Sequence, residues 1–471
     1  MKLKKIVTAL AVASLSSFGA MAQADQNAYA DFPVTVKDYQ GDAKHSVSYG
    51  GQMARHVLHT SLKKLAAQGN GQPNAELKAK MMAYFEGTDA GREILSPTSK
   101  GGFVIAQSQV DELSGKKNLA GKAYKGAVTS WPGNMTGAEV LAFMIDKASA
   151  ADKGYDSVNG YDYAQLISKF TMGAVFYNQA VDNYLDEKLE ADTKPNNKAY
   201  KDGKPYTGKE HVWDEAFGYF GVPAHTLELT AEQVYNIAKG KEDALSVADH
   251  NGDGKVSLYD EMAYAHGYYA AATDKSGKTD YLHTITKAFV DGRQLISDAN
   301  GEALTDAQRA ELKGHAKVIA ENWEKVIAEN VFKYAGSTYK DLQKITSILE
   351  AGGSVGDDYR NYIKHWGELK GFAMALQVSG KDLGETGVQL NRLIGFGPVL
   401  LGNTQVTGID AKGNYLQDST VTMDEYMLQM LKVQQLMVDE FGVKARSKDV
   451  LAGMEKLVEK LGAKAASAEN D

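Results

Sequence analysis

Apolar residues in this chain recur at three- and four-residue steps over long distances, and alternation with a period of two is scarce. Leu312, Ala316, Ile319, Trp323, Ile327 and Val331 follow the helical step, as do Met53, Val57, Leu58, Leu62 and Leu65. A repeat near 3.6 residues gathers such positions on one face, so each run predicts an amphipathic helix. Helix starts are written in side-chain chemistry as well. Thr136 with Glu139, Thr230 with Gln233, Thr305 with Gln308 and Thr422 with Glu425 each place a hydroxyl three residues before an acid or amide. That spacing satisfies orphan amides at a helix N-terminus, so four capping boxes are expected. Only eight prolines interrupt 471 residues, and Val34-Thr35-Val36 is the best strand candidate. The pattern predicts an all-α, large helical-bundle protein of about a dozen helices.

Glycine, asparagine, proline and serine collect at 69–74, 96–102, 192–208, 351–356 and 406–418, which read as loops. The stretch 192–208 is rich in lysine, asparagine and proline and reads as a linker. It separates an N-terminal helical region, 23–191, from a C-terminal helical region, 209–465. Residues 466–471 are small and charged and read as a disordered tail. One internal echo crosses the linker. Trp213-x-Glu215-x-x-Gly218-Tyr219 matches Trp366-x-Glu368-x-x-Gly371-Phe372, with His211 and His365 just before. Two related bundles would produce this echo, and so would chance in a long helical chain.

The N-terminus changes the setting. Lys2, Lys4 and Lys5 precede an apolar core, Ile6 to Ala13, and Ala20-Met21-Ala22 is a small-residue cleavage site. This is the pattern of a signal peptide over 1–22, so a periplasmic or secreted protein is expected. The apolar core is too short to span a bilayer, and later apolar stretches such as Leu393 to Gly402 and Gly371 to Val378 are also far too short, so no transmembrane segment is expected. With 52 basic and 60 acidic residues the formal charge is −8, and loss of three leader lysines takes it to about −11. That balance argues against nucleic acid as a partner. The absence of cysteine excludes disulfides, thiolate metal sites and cysteine nucleophiles.

Twelve residues name a ligand. Asp249 to Asp260 reads DHNGDGKVSLYD, with side-chain oxygens at loop positions one, three, five, nine and twelve: Asp249, Asn251, Asp253, Ser257 and Asp260. Lys255, at position seven, contributes its carbonyl. Gly254 stands where the loop must turn sharply and Val256 where an apolar residue pins it to the core. A hard cation taking six to eight oxygens suits this spacing, so calcium is the expected ion. Asp260 stands where a bidentate Glu is usual, with Glu261 next. An acidic connector that binds nothing has the same composition.

A second site rests on the echo. His211 and Glu215, four apart, share one helical face; His365 and Glu368, three apart, share another. Two such helices facing each other would bind iron or zinc, whereas separate pairs are ordinary hydrogen-bonded contacts. A metal-dependent peptidase using the His211 and His365 helices is the enzyme alternative. No His-Glu-x-x-His helix, Gly-x-Ser-x-Gly elbow or Rossmann glycine fingerprint occurs.

The calcium loop resembles the dockerin type of EF-hand, which also ends in Asp. More broadly, Ser46–Leu65, Met172–Leu185, Glu210–Gly221, Asn322–Tyr334 and Lys364–Gln377 resemble a bacterial secreted family, domain of unknown function 4856. That family is similar in setting and helical character to imelysin-like proteins, which are exported, built from two helical bundles and implicated in iron acquisition. The resemblance implies a binding component associated with iron uptake, with other iron-uptake proteins of the cell envelope as partners. The imelysin signature Gly-x-His-x-x-Glu is not kept. In Gly208-Lys209-Glu210-His211-Val212-Trp213-Asp214 the glycine stands one place early and the acid is Asp.

Overall fold

The computed structural model describes residues 29–190 and 193–468, so the expected signal peptide lies outside the described residues. Among these residues fourteen α-helices form. They are α1 (Gly50–Ala66), α2 (Ala75–Phe85), α3 (Gly137–Ala150), α4 (Tyr163–Thr171), α5 (Gly208–Phe220), α6 (Ala231–Ala238) and α7 (Leu245–Ala248). After the oxygen-rich loop come α8 (Ala265–Asp274), α9 (Tyr281–Asp298), α10 (Asp306–Glu350), α11 (Gly356–Leu376), α12 (Gly384–Ile394), α13 (Met423–Phe441) and α14 (Met454–Ala468). The protein is all-α. The tail expected from 466 onward is helical as far as Ala468.

The capping chemistry sets several of these starts. Thr136, Thr230, Thr305 and Thr422 accept from the amides of Glu139, Gln233, Gln308 and Glu425 and open α3, α6, α10 and α13. A fifth box, Thr207 with Glu210, opens α5. The 45-residue α10 is the spine, about 67 Å long at the ordinary helical rise, and α9, α11 and α13 pack along it. Its periodic residues Leu312, Ile319, Trp323, Ile327 and Val331 are fully buried. α4 continues into a wide-turned π segment, Met172–Tyr184, where Gly173 lets the chain pass against Ala375 of α11.

Two expectations fail locally. Val34–Val36 is irregular chain, because Thr35 spends its hydroxyl on Glu210 rather than lying beside a strand edge. Conversely 406–418, expected as loop, lies within an antiparallel hairpin of Thr404–Ile409 and Tyr415–Ser419. The second of these strands is almost wholly exposed, so no apolar alternation marks it. Asp410 makes the turn, accepting from the amides of Lys412 and Asn414 at 2.8 Å, with Gly413 at φ +79°. A shorter hairpin joins Tyr155–Asp156 to Tyr161–Asp162.

One apolar cluster draws on residues from both sides of the 192–208 segment. That segment, described from Thr193, is tied down. Buried Asn196 donates to the carbonyls of Ile296 and Glu302, and Lys209 Nζ donates to those of Lys188, Glu190 and Thr193. The two halves of the echo do the same packing work. Trp213 and Trp366 are fully buried and donate to Phe289 O and Tyr426 Oη. Gly218 and Gly371 are close-approach points: a Cβ would lie 2.8 Å from Tyr49 Cβ in one case and 2.5 Å from Lys169 Cβ in the other.

The deepest polar feature is Arg293 on α9, which is wholly buried. Its guanidinium donates to Asp214 Oδ1 (2.9 Å), Glu210 Oε1 (3.1 Å), Ser297 Oγ (2.6 Å) and Ser46 Oγ (2.5 Å). Asp214 also accepts from Tyr29 Oη and Ser48 N, and Glu210 from Thr35 Oγ1 and Thr207 N. The N-terminal segment, α5 and α9 therefore share one satisfied charge network. Removing one partner strands the others without solvent. Arg293→Met is expected to cost about 3–5 kcal/mol in urea unfolding; a loss below about 1 kcal/mol would mean the network is not holding these elements together.

Candidate functional site

The oxygen-rich loop sits between the single turn α7 and a turn over 258–261. Its side chains fold inward on its own amides. Asp249 accepts from Asp253 N (3.0 Å) and Gly254 N (2.8 Å), Asn251 from Asp253 N (2.9 Å), and Asp253 from Lys255 N (2.8 Å). Gly252 and Gly254 take φ of +74° and +82°, which the sharp turn requires and other residues resist. Ser257 Oγ accepts from Tyr259 N, and the Asp260 carbonyl from Ala224 N at 2.7 Å. The donor set is all oxygen and suits a hard divalent cation. Among the described residues no group of three or more His, Asp or Glu converges as a ready-made metal cage. Asp249 and Asp253 accept from loop amides, which shapes the loop and leaves further lone pairs on both carboxylates.

Glu261, just past the motif, and Val256 within it fix the loop in place. Glu261 is buried and accepts from His250 N (2.9 Å), Asn251 N (3.1 Å) and Ser257 N (2.8 Å), bracing the loop across its width. Burial raises its pKa, and these amides oppose the rise. Val256, at position eight, pairs with a distant segment: Val256 N donates to Val104 O (2.7 Å) and Ala106 N to Val256 O (3.0 Å). Gln107 adds a bond from Leu258 N. The 104–107 segment thus joins the apolar position of the loop through one parallel bridge, Ile105 with Val256. Glu261 was visible in the sequence as an acid next to position twelve; the 104–107 partner carried no signal.

The His–Glu pairs are not brought together. His211 lies against Tyr200 and Tyr206, with Nε2 3.8 Å from Glu215, which accepts from Gln52 on α1. Burial lowers the His211 pKa. His365 faces Asp341, with Nδ1 2.6 Å from Oδ2, and Glu368 accepts from Tyr334 Oη at 3.0 Å. Glu368 shares a cleft with Lys63 of α1. Gln52 and Lys63 are eleven residues apart on one helix, so the two places are separated by about 16 Å along its axis. A shared iron or zinc site on these four residues does not form, because each histidine is turned to its own local partners.

What surrounds His365 and Glu368 is a cleft of about 490 Å³ that sequence reading did not find. Seven lysines line it against two carboxylates, Asp341 and Glu368. At its floor Lys169, only 2 % exposed, lies 3.6 Å from Glu368 and donates to Gln165 Oε1. Lys63 stands beside it. The lysines come from helices scattered over the chain, so no local motif announced them. A second hollow of about 310 Å³ shares Lys63, Lys169, Lys239, Tyr268 and Tyr269 with the cleft. Its far wall is Met262 to Ala265, the chain that leaves the oxygen-rich loop. A larger hollow beside α12, about 760 Å³, is lined mainly by glycines and apolar residues and gathers no comparable charge.

The family model described as "Domain of unknown function (DUF4856)" matches residues 37–354, more than half of the chain. The match takes in the loop and Lys63 and Lys169, and stops short of α11. Comparison with curated proteins and with solved structures finds no match.

Separate places should behave independently. Glu215→Gln and Glu368→Gln are expected to add in a double-mutant thermal-unfolding cycle to within about 0.5 kcal/mol. A coupling above about 1 kcal/mol would mean that the two pairs act as one site.

Proposed function

We propose, for a chain that belongs to the DUF4856 family, a role as an exported, calcium-stabilised binding protein whose ligand enters the lysine-lined cleft. The observation that carries this reading is the short run of chain from the loop to the hollow beside the cleft: within five residues the backbone leaving Asp260 becomes the wall Met262–Ala265 of the smaller hollow, which shares Lys63, Lys169, Lys239, Tyr268 and Tyr269 with the cleft. Asp249, Asn251, Asp253, Ser257 and Asp260 would hold calcium through side chains, and Lys255 through its carbonyl. Bound calcium would supply a fixed positive centre for these carboxylates, beside the loop amides they already accept from. What this chain's own residues contribute is anchorage. Val256 joins the loop to 104–106, Asp260 joins it to Ala224, and Glu261 braces it from behind. Loop order therefore passes to the wall of the hollow that adjoins the cleft.

Export follows from the basic and apolar N-terminus and suits an ion abundant outside cells. No helix among the described residues is long and apolar enough to cross a membrane. A place beside iron-uptake proteins of the cell envelope rests on the imelysin-like setting. The metallopeptidase alternative needs His211 and His365 on one metal, and those residues do not meet.

Saturating calcium, at about 100 times Kd, is expected to stabilise the protein by about 2.7 kcal/mol and to raise Tm by about 3–5 °C over the chelator-treated form. Asp249→Ala with Asp253→Ala should abolish the rise. Identical melting curves for the native chain in calcium and in EGTA would remove calcium from this account.

A further inference from the structure

We infer that the cleft between α1, α4, α10 and α11 is a binding site for a small organic polyanion, a molecule carrying at least two carboxylate or phosphate groups. The inference rests on the binding-protein reading and names its ligand class. The chain as a whole is acidic, with a formal charge of −8. A net surplus of five positive side chains in one concavity, counted without His365, is therefore a local inversion of sign. Surface lysines spread apart to reduce repulsion; here several are held close.

The floor makes the case most strongly. Lys169 is almost completely buried, and Glu368 is its nearest carboxylate. Lys63, half-buried on α1, faces Lys169 from α4 with His59 a turn away, Asp162 at the start of α4 and Glu368 on α11. Among the described residues Glu368 alone lies within ion-pair distance of Lys169, with Asp162 farther off, and a ligand anion would complete the charge partners of the floor ammonium groups. Repulsion from Lys169, followed by burial, lowers the Lys63 pKa to about 7. Lys333 of α10 adds a third cation from the side, and burial lowers its pKa too.

The rim shows a second device. Lys448 lies in a loop after α13 and takes φ +61°, a left-handed backbone unfavourable to a side-chain-bearing residue. Its carbonyl is clamped by Gln434 Nε2 at 3.1 Å and seated over Gly336 of α10, where a Cβ would collide with it. Strain, clamp and glycine together bring this lysine to the mouth of the cleft. Tyr268, Tyr269 and Tyr334 line the walls, offering flat apolar faces and hydroxyls to the ligand's body.

Calorimetric titration of the full calcium-loaded protein tests this with two probes, tricarballylate for carboxylates and fructose 1,6-bisphosphate for phosphates. At pH 6.5 and low salt at least one should bind at a single site, with affinity falling as salt rises. An anion beside Lys63 raises its pKa. Below pH 7 that lysine is already charged; above it, binding must take up a proton. Affinity should therefore weaken from pH 6.5 to 8.5, with proton uptake seen as heat that varies with buffer ionisation enthalpy. Lys169→Gln should weaken binding at least tenfold. Lys340→Gln with Lys448→Gln, both exposed at the rim, should weaken it at least fivefold and keeps the test valid if the buried variant does not fold. Which probe binds assigns the anionic group. No binding of either at 5 mM, or binding unchanged in the rim variant, overturns the inference. Repeating the titration on protein stripped of calcium and then dialysed free of chelator, itself a polycarboxylate, separates it from the calcium reading: anion binding that persists there, with no calcium effect on Tm, leaves the cleft standing and the loop's role refuted.

Discussion

A guanidinium with no water around it is the constraint on which this architecture turns. Arg293 can be buried only if its donors find oxygens, and four of the five N–H groups do, at Ser46, Glu210, Asp214 and Ser297. Meeting that demand fixes the N-terminal segment against α5 and α9. The consequences run outward through the backbone. Tyr29, which donates to Asp214, also bonds through its amide to the Ala224 carbonyl, and the Ala224 amide bonds to the Asp260 carbonyl. Tyr49 stacks on Tyr259, with ring centroids 4.8 Å apart. A charge network in the core is thereby connected to the last residues of the oxygen-rich loop.

From the loop the same logic reaches the cleft. The oxygen-rich loop pairs with no second loop of its kind among the described residues; its position-eight residue, Val256, finds backbone partners at 104–106. The chain then turns under Glu261 and runs directly into the wall of the second hollow. Ala265, on that wall, takes φ +36°, a conformation costly for alanine. The neighbouring lysine cleft has its own cost in mutual repulsion, seen in the lowered pKa of Lys63. Features that cost stability in a well-packed body are the ones most reasonably assigned to binding.

Legibility in the sequence followed the range of each interaction. Capping boxes are local, and all four read from Thr-x-x-Glu/Gln spacing are formed. The fifth, Thr207 to Glu210, was as readable but fell at the edge of a segment taken for linker. Helix class was plain because Leu312 to Val331 keeps its period over five turns. The hairpin of β-strands at 404–419 was hidden because exposed strands carry no apolar alternation. The echo identified two buried tryptophans and two close-approach glycines, yet the histidines beside them face different neighbours. The cleft was beyond sequence reading altogether: Lys63, Lys169, Lys333 and Lys448 are separated by up to hundreds of residues, and only the packing of α1, α4 and α10 gathers them.

The central claim is that ion binding at the loop orders the wall of the hollow beside the lysine cleft through bonds between neighbouring backbone segments. Hydrogen–deuterium exchange in matched calcium and EGTA buffers addresses it most directly. The account predicts slowed exchange on adding calcium in three places: the loop itself, its partner segment 104–107, and the wall 262–265. Protection confined to the loop, or none anywhere, would contradict it.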